Sequence, residues 1–92
     1  MTAREWITEI FGEDLIVLDP PEEFDRCIVG VVESKLLQPV VVYDAAKITK
    51  NLMKQGMTTE EAIEYFEYNI LDCYMGERTP MFLVKLPKGL AK

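Results

Sequence analysis

The chain has 92 residues, of which 49% are hydrophobic, and it carries a formal net charge of −6 without any histidine. This length supports one hydrophobic core and excludes a multi-domain enzyme. The acidic balance argues against direct binding to nucleic acid, because like charges repel, and it favours a partner with a basic surface. The sequence has no long apolar run, and acidic residues occupy the segment where a secretory signal would be basic and then apolar. We therefore expect a cytoplasmic protein that does not enter a membrane.

The first residues predict one helix and one strand. Thr2 and Glu5 have the spacing of a capping box, and apolar residues follow at helical intervals, so we expect a short amphipathic helix at residues 2–11. The apolar run at residues 15–18 ends at an aspartate followed by two prolines, which is typical of a strand that stops at a turn.

The segment at residues 27–33 is ambiguous between helix and strand. Its apolar residues fit a helical spacing, but it is rich in β-branched residues and has Gly30 near its centre. A glycine in a helix interior costs about 1 kcal/mol relative to alanine, and β-branched residues favour strands. We interpret this segment as a strand, paired as a hairpin with a second β-rich run at residues 39–43.

Two further helices are predicted after the hairpin. Asp44 is a suitable N-cap for an amphipathic helix at residues 45–55, which a glycine terminates. Thr58 and Glu61 form a second capping box, from which a helix at residues 59–75 begins.

Together these elements predict a single α+β domain over residues 1–86. A last strand is expected at residues 80–86, at a sheet edge because Pro80 cannot donate a ladder hydrogen bond. The sheet would be small and mostly antiparallel, and the two longer helices would cover one of its faces. The first helix or a second subunit would cover the other face, so we expect a homodimer. Residues 87–92 are expected to form a flexible tail.

The predicted helix at residues 59–75 has two different faces. At about 100° per residue, one arc is apolar and should be buried, and the opposite arc is acidic. The apolar arc holds Ala62, Ile63, Phe66, Ile70, Cys73 and Tyr74. The opposite arc holds Glu60, Glu61, Glu64, Tyr65, Glu67, Tyr68, Leu71 and Asp72. We call these residues, without the capping residue Glu61, the acidic tyrosine face, and they are the candidate partner-binding residues.

The acidic tyrosine face has two interpretations. It is either a solvated helix exterior whose tyrosines lie against a neighbouring element, or a surface that binds another protein. Exposed charge is the usual state of a helix exterior. Tyrosine supplies a large contact area and a hydroxyl group, so tyrosines framed by acids would suit a partner rich in arginine or lysine.

The residue types argue against catalysis and against a bound metal or cofactor. Without histidine, the chain lacks the commonest general base and metal ligand. Ser34, the only serine, falls in a predicted loop, and Cys27 and Cys73 are too few for a zinc site. We expect both cysteines to be buried apolar side chains without a disulfide. Asp19 and Glu22 could form a carboxylate pair, but capping of a turn explains them better.

Several short segments, in order, resemble a known group of proteins. They are Phe24-Asp25, Ile28-Val29-Gly30-Val31, Val42-Tyr43-Asp44, Gly56-Met57, Glu60-Glu61-Ala62, Glu64-Tyr65-Phe66-Glu67-Tyr68-Asn69, Gly76-Glu77, Thr79-Pro80 and Phe82. This pattern resembles a family of short uncharacterised proteins encoded by phages and by prokaryotic genomes. The resemblance implies no assigned activity and no catalytic residues. It implies a role in the conflict between phage and host, such as inhibition of a host or anti-phage defence protein.

Some small acidic phage proteins imitate DNA, and this chain fits such mimicry only in part. Glu60 and Glu64 would lie about 6 Å apart along a helix, which is close to a phosphate interval. However, a net charge of −6 that includes two basic blocks, at residues 34–58 and 78–92, is far below the charge of duplex DNA of similar length.

Three functional hypotheses follow from the sequence. The first is a non-catalytic inhibitor or adaptor that binds a basic surface of a host protein through the acidic tyrosine face. The second is a self-associating accessory or structural protein without another target. The third is a small enzyme that uses carboxylates alone, which would require a pocket holding two or more of them.

Overall fold

The computed structural model describes residues 1–35 and 38–90, which form four α-helices and a three-stranded sheet. The helices are α1 (Ala3–Phe11), α2 (Pro21–Phe24), α3 (Ala45–Lys54) and α4 (Thr59–Phe66), and the strands are β1 (Ile28–Val32), β2 (Val40–Asp44) and β3 (Met81–Leu83). A 3-10 turn (Asp25–Cys27) extends α2, and a π-helical turn (Glu67–Leu71) extends α4. The α+β fold predicted from the sequence is therefore confirmed.

Strands β1 and β2 form the antiparallel hairpin that the sequence predicts. Gly30 lies opposite Val42, and the register shifts between Ile28 and Gly30. The interpretation of this segment as a strand is confirmed. Its β-branched residues Ile28 and Val31 pack against the core, and such residues favour an extended backbone. Residues 36–37 of the hairpin loop, and residues 91–92 of the predicted tail, lie outside the described residues.

Strand β3 pairs with β2 in parallel, with Val42 beside Met81 and Tyr43 beside Phe82. The sheet order is β1-β2-β3, so the sheet is mixed, and the expectation of a mostly antiparallel sheet holds only for the hairpin. Helices α3 and α4 connect β2 to β3, and a helical crossover returns the chain in the same direction. Strand β3 covers only Met81–Leu83 of the predicted range 80–86. It lies at a sheet edge, as predicted.

The strand predicted at residues 15–18 is wrong, because this run has no strand pairing. Leu15 and Leu18 are buried in the core, whereas the residues between them are partly exposed. The backbone N–H of Leu18 donates to the Tyr43 hydroxyl oxygen at 2.8 Å. Core packing of Leu15 and Leu18 therefore holds this run in place, and the Tyr43 hydroxyl accepts the Leu18 N–H in place of a neighbouring strand.

The predicted helices α1 and α3 match the structure closely. The Thr2 hydroxyl accepts the Glu5 N–H at 3.1 Å, and Gly12 ends α1 with a positive φ of 85°. Asp44 caps α3 by accepting the N–H groups of Ala46 and Lys47 at 3.0 and 3.2 Å. These helices were predictable because the signals at both ends are local.

The helix predicted at residues 59–75 ends earlier, at Leu71. A π-helical turn holds more residues than an α-helical turn, because each bond spans five residues instead of four, so each of its residues advances by a smaller angle around the axis. The apolar arc therefore stops at Ile70, and Cys73 and Tyr74 are exposed, contrary to prediction. Ile63 is also exposed, so the buried face is narrower than predicted and consists of Ala62, Phe66 and Ile70.

The core lies on one face of the sheet, around Tyr43. The Tyr43 ring meets Phe24 edge to face and lies 6.1 Å from the Phe82 ring. Phe66 of α4 meets Phe82 edge to face at 5.2 Å. These aromatic contacts, with buried residues of α1 and α3, anchor α4 so that its other side faces solvent.

Candidate interaction surfaces

The capping box fixes the start of α4. The Thr58 hydroxyl accepts the Glu61 N–H at 3.2 Å, and the Glu61 carboxylate accepts the Thr58 N–H at 2.9 Å. The hydrogen bonds from the Thr58 backbone and hydroxyl lower the pKa of Glu61, because they favour its ionised form. The helix therefore begins at a defined residue with its acids oriented outward.

The structure exposes every member of the acidic tyrosine face. The exposed fractions are 43% for Tyr65, 73% for Tyr68 and 48% for Leu71. None of the four carboxylates of this face forms an ion pair with a residue that the structure describes. The face is thus accessible and no described residue neutralises its negative charge by an ion pair, while its binding role stays a prediction.

A shallow groove of about 330 Å³ runs along this face. Its lining combines two tyrosine rings, a methionine and carboxylates, from Met57, Glu61, Glu64, Tyr65, Tyr68 and Asn69. Aromatic rings attract cations over their faces, and carboxylates accept charge-assisted hydrogen bonds from guanidinium and ammonium groups. Such a lining suits an arginine or lysine side chain, whose apolar stem would lie against the rings. Met57 and Asn69 belong to this surface, although the sequence pattern did not indicate them.

A larger groove of about 530 Å³ lies between α4 and the α2 region. Tyr65, Asn69 and Cys73 line one side of it, and Asp19 and Glu23 line another. The sequence pattern does not indicate this groove, because segments that are distant in the chain form its wall. The exposed Cys73 thiol donates to the Asn69 carbonyl oxygen at 3.2 Å.

The larger groove holds two carboxylates, which is the arrangement that a carboxylate enzyme would need. Both belong to exposed residues, and Asp19 already pairs with Arg4 at 3.4 Å. Neither carboxylate lies in the dry, enclosed environment in which carboxylates act as general acids. The prediction that Asp19 caps the following turn is wrong. Pro20 occupies the N-cap position of α2, and no side-chain hydrogen bond caps this helix.

A third groove, of about 280 Å³, is basic. Its lining is Arg26, Lys47, Lys50, Asn51 and Lys54, and we call it the basic groove. The three lysines recur at helical spacing on α3, and Arg26 joins them from the 3-10 turn. None of these four cations pairs with a carboxylate among the described residues. The chain therefore separates positive charge on α3 from negative charge on α4.

The described part of the chain has neither a metal-binding cluster nor a membrane-spanning helix. Within residues 1–35 and 38–90, no three residues of the metal-ligating types are grouped to hold an ion, and no helix is long and apolar enough to span a bilayer. No protein-family model, curated protein or solved structure matches the chain. The resemblance to short phage and prokaryotic proteins stays a prediction.

Proposed function

We propose that this chain is a non-catalytic protein-binding protein that docks a basic surface of another protein on its acidic tyrosine face. The observation that carries the proposal is the exposure of two tyrosines and a leucine among four carboxylates that have no ion-pair partner in the described structure. Exposed charges alone are ordinary on a helix, but large aromatic side chains at the centre of such a patch are typical of binding hot spots.

The chemistry of the face selects the class of partner. Arginine or lysine side chains would place their charge between Glu64 and Glu67 and their stems against Tyr65 and Tyr68. Complementary charge would also accelerate the encounter, because it steers oppositely charged surfaces together. The partner would thus be a protein with a basic, for example nucleic-acid-binding, surface.

If the resemblance to phage-encoded proteins holds, this interaction would take place in a host cytoplasm. A small protein without catalytic groups would act there by occupying a host protein, as an inhibitor or an adaptor. An anti-defence role is one form of this function, because defence proteins that handle nucleic acid carry basic surfaces.

Affinity capture from a prokaryotic host lysate, at low and high salt, tests the proposal. The test variant carries Glu64→Lys with Glu67→Lys, and the control variant carries Glu9→Lys with Glu13→Lys, which changes the net charge equally at exposed positions. We expect the wild type and the control to recover the same protein at low salt, and the test variant to lose it while remaining folded. Equal recovery by both variants would contradict the proposal, because it would place binding outside the acidic tyrosine face.

A second candidate function is self-association as an accessory protein. One observation favours it: β1 and β3 expose apolar side chains on the sheet face away from the core. This function and the first are compatible, because α4 lies on the other side of the sheet.

A further inference from the structure

The larger groove adjoins the shallow groove of the acidic tyrosine face. The two grooves, of about 530 and 330 Å³, have three lining residues in common, which are Met57, Tyr65 and Asn69. Tyr65 is 43% exposed, so the wall that it forms between the grooves is accessible. A ligand that lies on the acidic tyrosine face can therefore reach the larger groove without leaving the surface of the chain.

The larger groove has an apolar floor. Leu18, Leu52 and Ile70 line this groove, and all three are buried members of the hydrophobic core. The groove thus reaches the core at the place where α3, the end of the α4 region and the segment before α2 meet. Displacing loosely held water from such a floor by an apolar group is favourable, whereas an ammonium or guanidinium group would lose its hydration there. The floor therefore selects an apolar side chain.

The rim of the larger groove is polar, and its charged groups are acidic. Asp19, Glu23, Gln55 and Asn69 are exposed residues of its lining. Glu23 forms no ion pair with a described residue, and the Asp19 side chain stays 75% exposed although it pairs with Arg4. Among the described residues, no lysine or arginine lines either groove. The charge around the two grooves therefore favours a cationic occupant and disfavours an anionic one.

We propose that the larger groove binds one large apolar side chain from a basic segment of the partner protein. Arginines or lysines on either side of this anchor would lie on the acidic tyrosine face and near the acidic rim. This inference rests on the proposed function, because the partner's basic residues occupy the face named there. It adds a requirement that the acidic tyrosine face alone does not impose, namely an apolar anchor between basic residues.

The form of the site favours a segment of protein chain over a separate small molecule. Sites for small molecules bury most of the surface of their ligand. Here the rim is exposed and the larger groove continues into the shallow one, so a small molecule would stay partly in water. A protein segment fills both grooves at once. An apolar pocket with a polar rim is also the usual setting of a binding hot spot.

Fluorescence polarisation with two labelled synthetic peptides and the intact chain tests the anchor. Both peptides carry arginines around one central residue, which is tryptophan in the first peptide and alanine in the second. We expect about 10-fold tighter binding of the tryptophan peptide, because burial of a large apolar side chain contributes at least this much. The ratio should persist at high salt while both affinities fall, because salt screens charges but not apolar contacts. Equal affinities, or binding of neither peptide, would overturn the inference.

Two matched variants locate the anchor. Met75 lines the larger groove, whereas Met53 on α3 lines neither groove, and both side chains are 40% exposed. Replacement of either methionine by lysine changes the net charge equally. Met75→Lys should bring the ratio of the two affinities close to one, and Met53→Lys should keep it at about 10-fold. A folded Met75→Lys variant that keeps the full ratio would overturn the inference.

Chemical modification of the folded chain replaces Met75→Lys if that variant does not fold. The Cys73 thiol is exposed and lines the larger groove, whereas Cys27 is fully buried, so a thiol reagent reaches Cys73 first. A bulky maleimide on Cys73 should fill the groove and abolish the preference for tryptophan. A methylthio group on the same sulfur is the control and should leave the preference intact. An unchanged preference after maleimide treatment would overturn the inference.

The variant with Glu64→Lys and Glu67→Lys separates this inference from the proposed function. Compared with the control that carries Glu9→Lys and Glu13→Lys, it should bind both peptides more weakly by a similar factor and keep the preference for tryptophan. Weaker binding of both peptides, without a preference for tryptophan in the wild type, would overturn the anchor and support the proposed function. Binding as strong as that of the control would contradict the proposed function and, with it, this inference.

Discussion

At the scale of single residues, Asp44 is the one buried charged residue among those that the structure describes. Its carboxylate is buried, accepts two backbone N–H groups at the start of α3 and pairs with Lys85. Burial alone would raise the pKa of Asp44, but the hydrogen bond from Lys85 and the bonds from Lys47 and Ala46 outweigh it, so the pKa is lowered. The N-cap role of Asp44 was predictable from sequence, whereas its pairing with Lys85 depends on β3 lying parallel to β2.

The Asp44 carboxylate should make stability depend on acid. A lowered folded pKa stabilises the fold fully above the unfolded value of about 3.9 and loses this contribution as the pH falls through the folded pKa. Asparagine keeps the cap but removes the charge, so the Asp44→Asn variant should have an unfolding free energy about 1 kcal/mol lower at pH 7. The loss is this small because Lys85 is largely exposed, and solvent weakens its attraction to the carboxylate. The loss should shrink below about pH 4. Urea denaturation at several pH values measures this, with the exposed Asp14→Asn as control. A loss that is the same at all pH values would argue against the ion pair.

The two cysteines should differ in reactivity. Cys27 is fully buried and Cys73 is exposed, and both are free thiols. Burial raises the pKa of Cys27, although nearby Lys47 partly opposes this, so little thiolate forms there. A thiol reagent should modify one cysteine per native chain quickly and the second only after denaturation. The variant Cys73→Ser should show no fast reaction, and two fast equivalents in the wild type would contradict the structure.

At the scale of elements, the sequence predicted what local signals determine. Capping residues and helical spacing gave α1, α3 and the start of α4 almost to the residue. The direction of β3 and the unpaired run at residues 15–18 depend on tertiary contacts, which periodicity does not encode. Periodicity does not predict the π-helical turn either. A change from α to π geometry rotates every later residue away from the position that regular helical spacing gives it.

The capping box of α4 should contribute measurably to stability. Thr58→Ala removes the hydroxyl that accepts the Glu61 N–H, and such a loss costs about 1 kcal/mol. Thr59→Ala is the control, because Thr59 is the next residue and has no capping role. Chemical denaturation should show the loss only in Thr58→Ala. Equal stability of both variants would mean that tertiary packing alone fixes the start of α4.

At the scale of the whole molecule, charge and apolar surface are segregated. Acids and tyrosines occupy α4, lysines occupy α3, and the edge strands β1 and β3 expose the apolar residues Val32, Met81 and Leu83. The exposure of the acidic tyrosine face was predictable from helical spacing. The three grooves were not, because each combines segments that are distant in sequence or change position with the π-helical turn.

The affinity of the captured partner for two tyrosine variants tests the central claim most directly. Tyr68 is 73% exposed within the acidic tyrosine face, and Tyr74 is 81% exposed beyond the end of its helix, so Tyr68→Ala and Tyr74→Ala remove similar side chains. If Tyr68 is a hot spot, its removal should weaken binding about 30-fold, which corresponds to about 2 kcal/mol. Tyr74→Ala should bind like the wild type. Equal affinities for the two variants would contradict the assignment of the docking surface to α4.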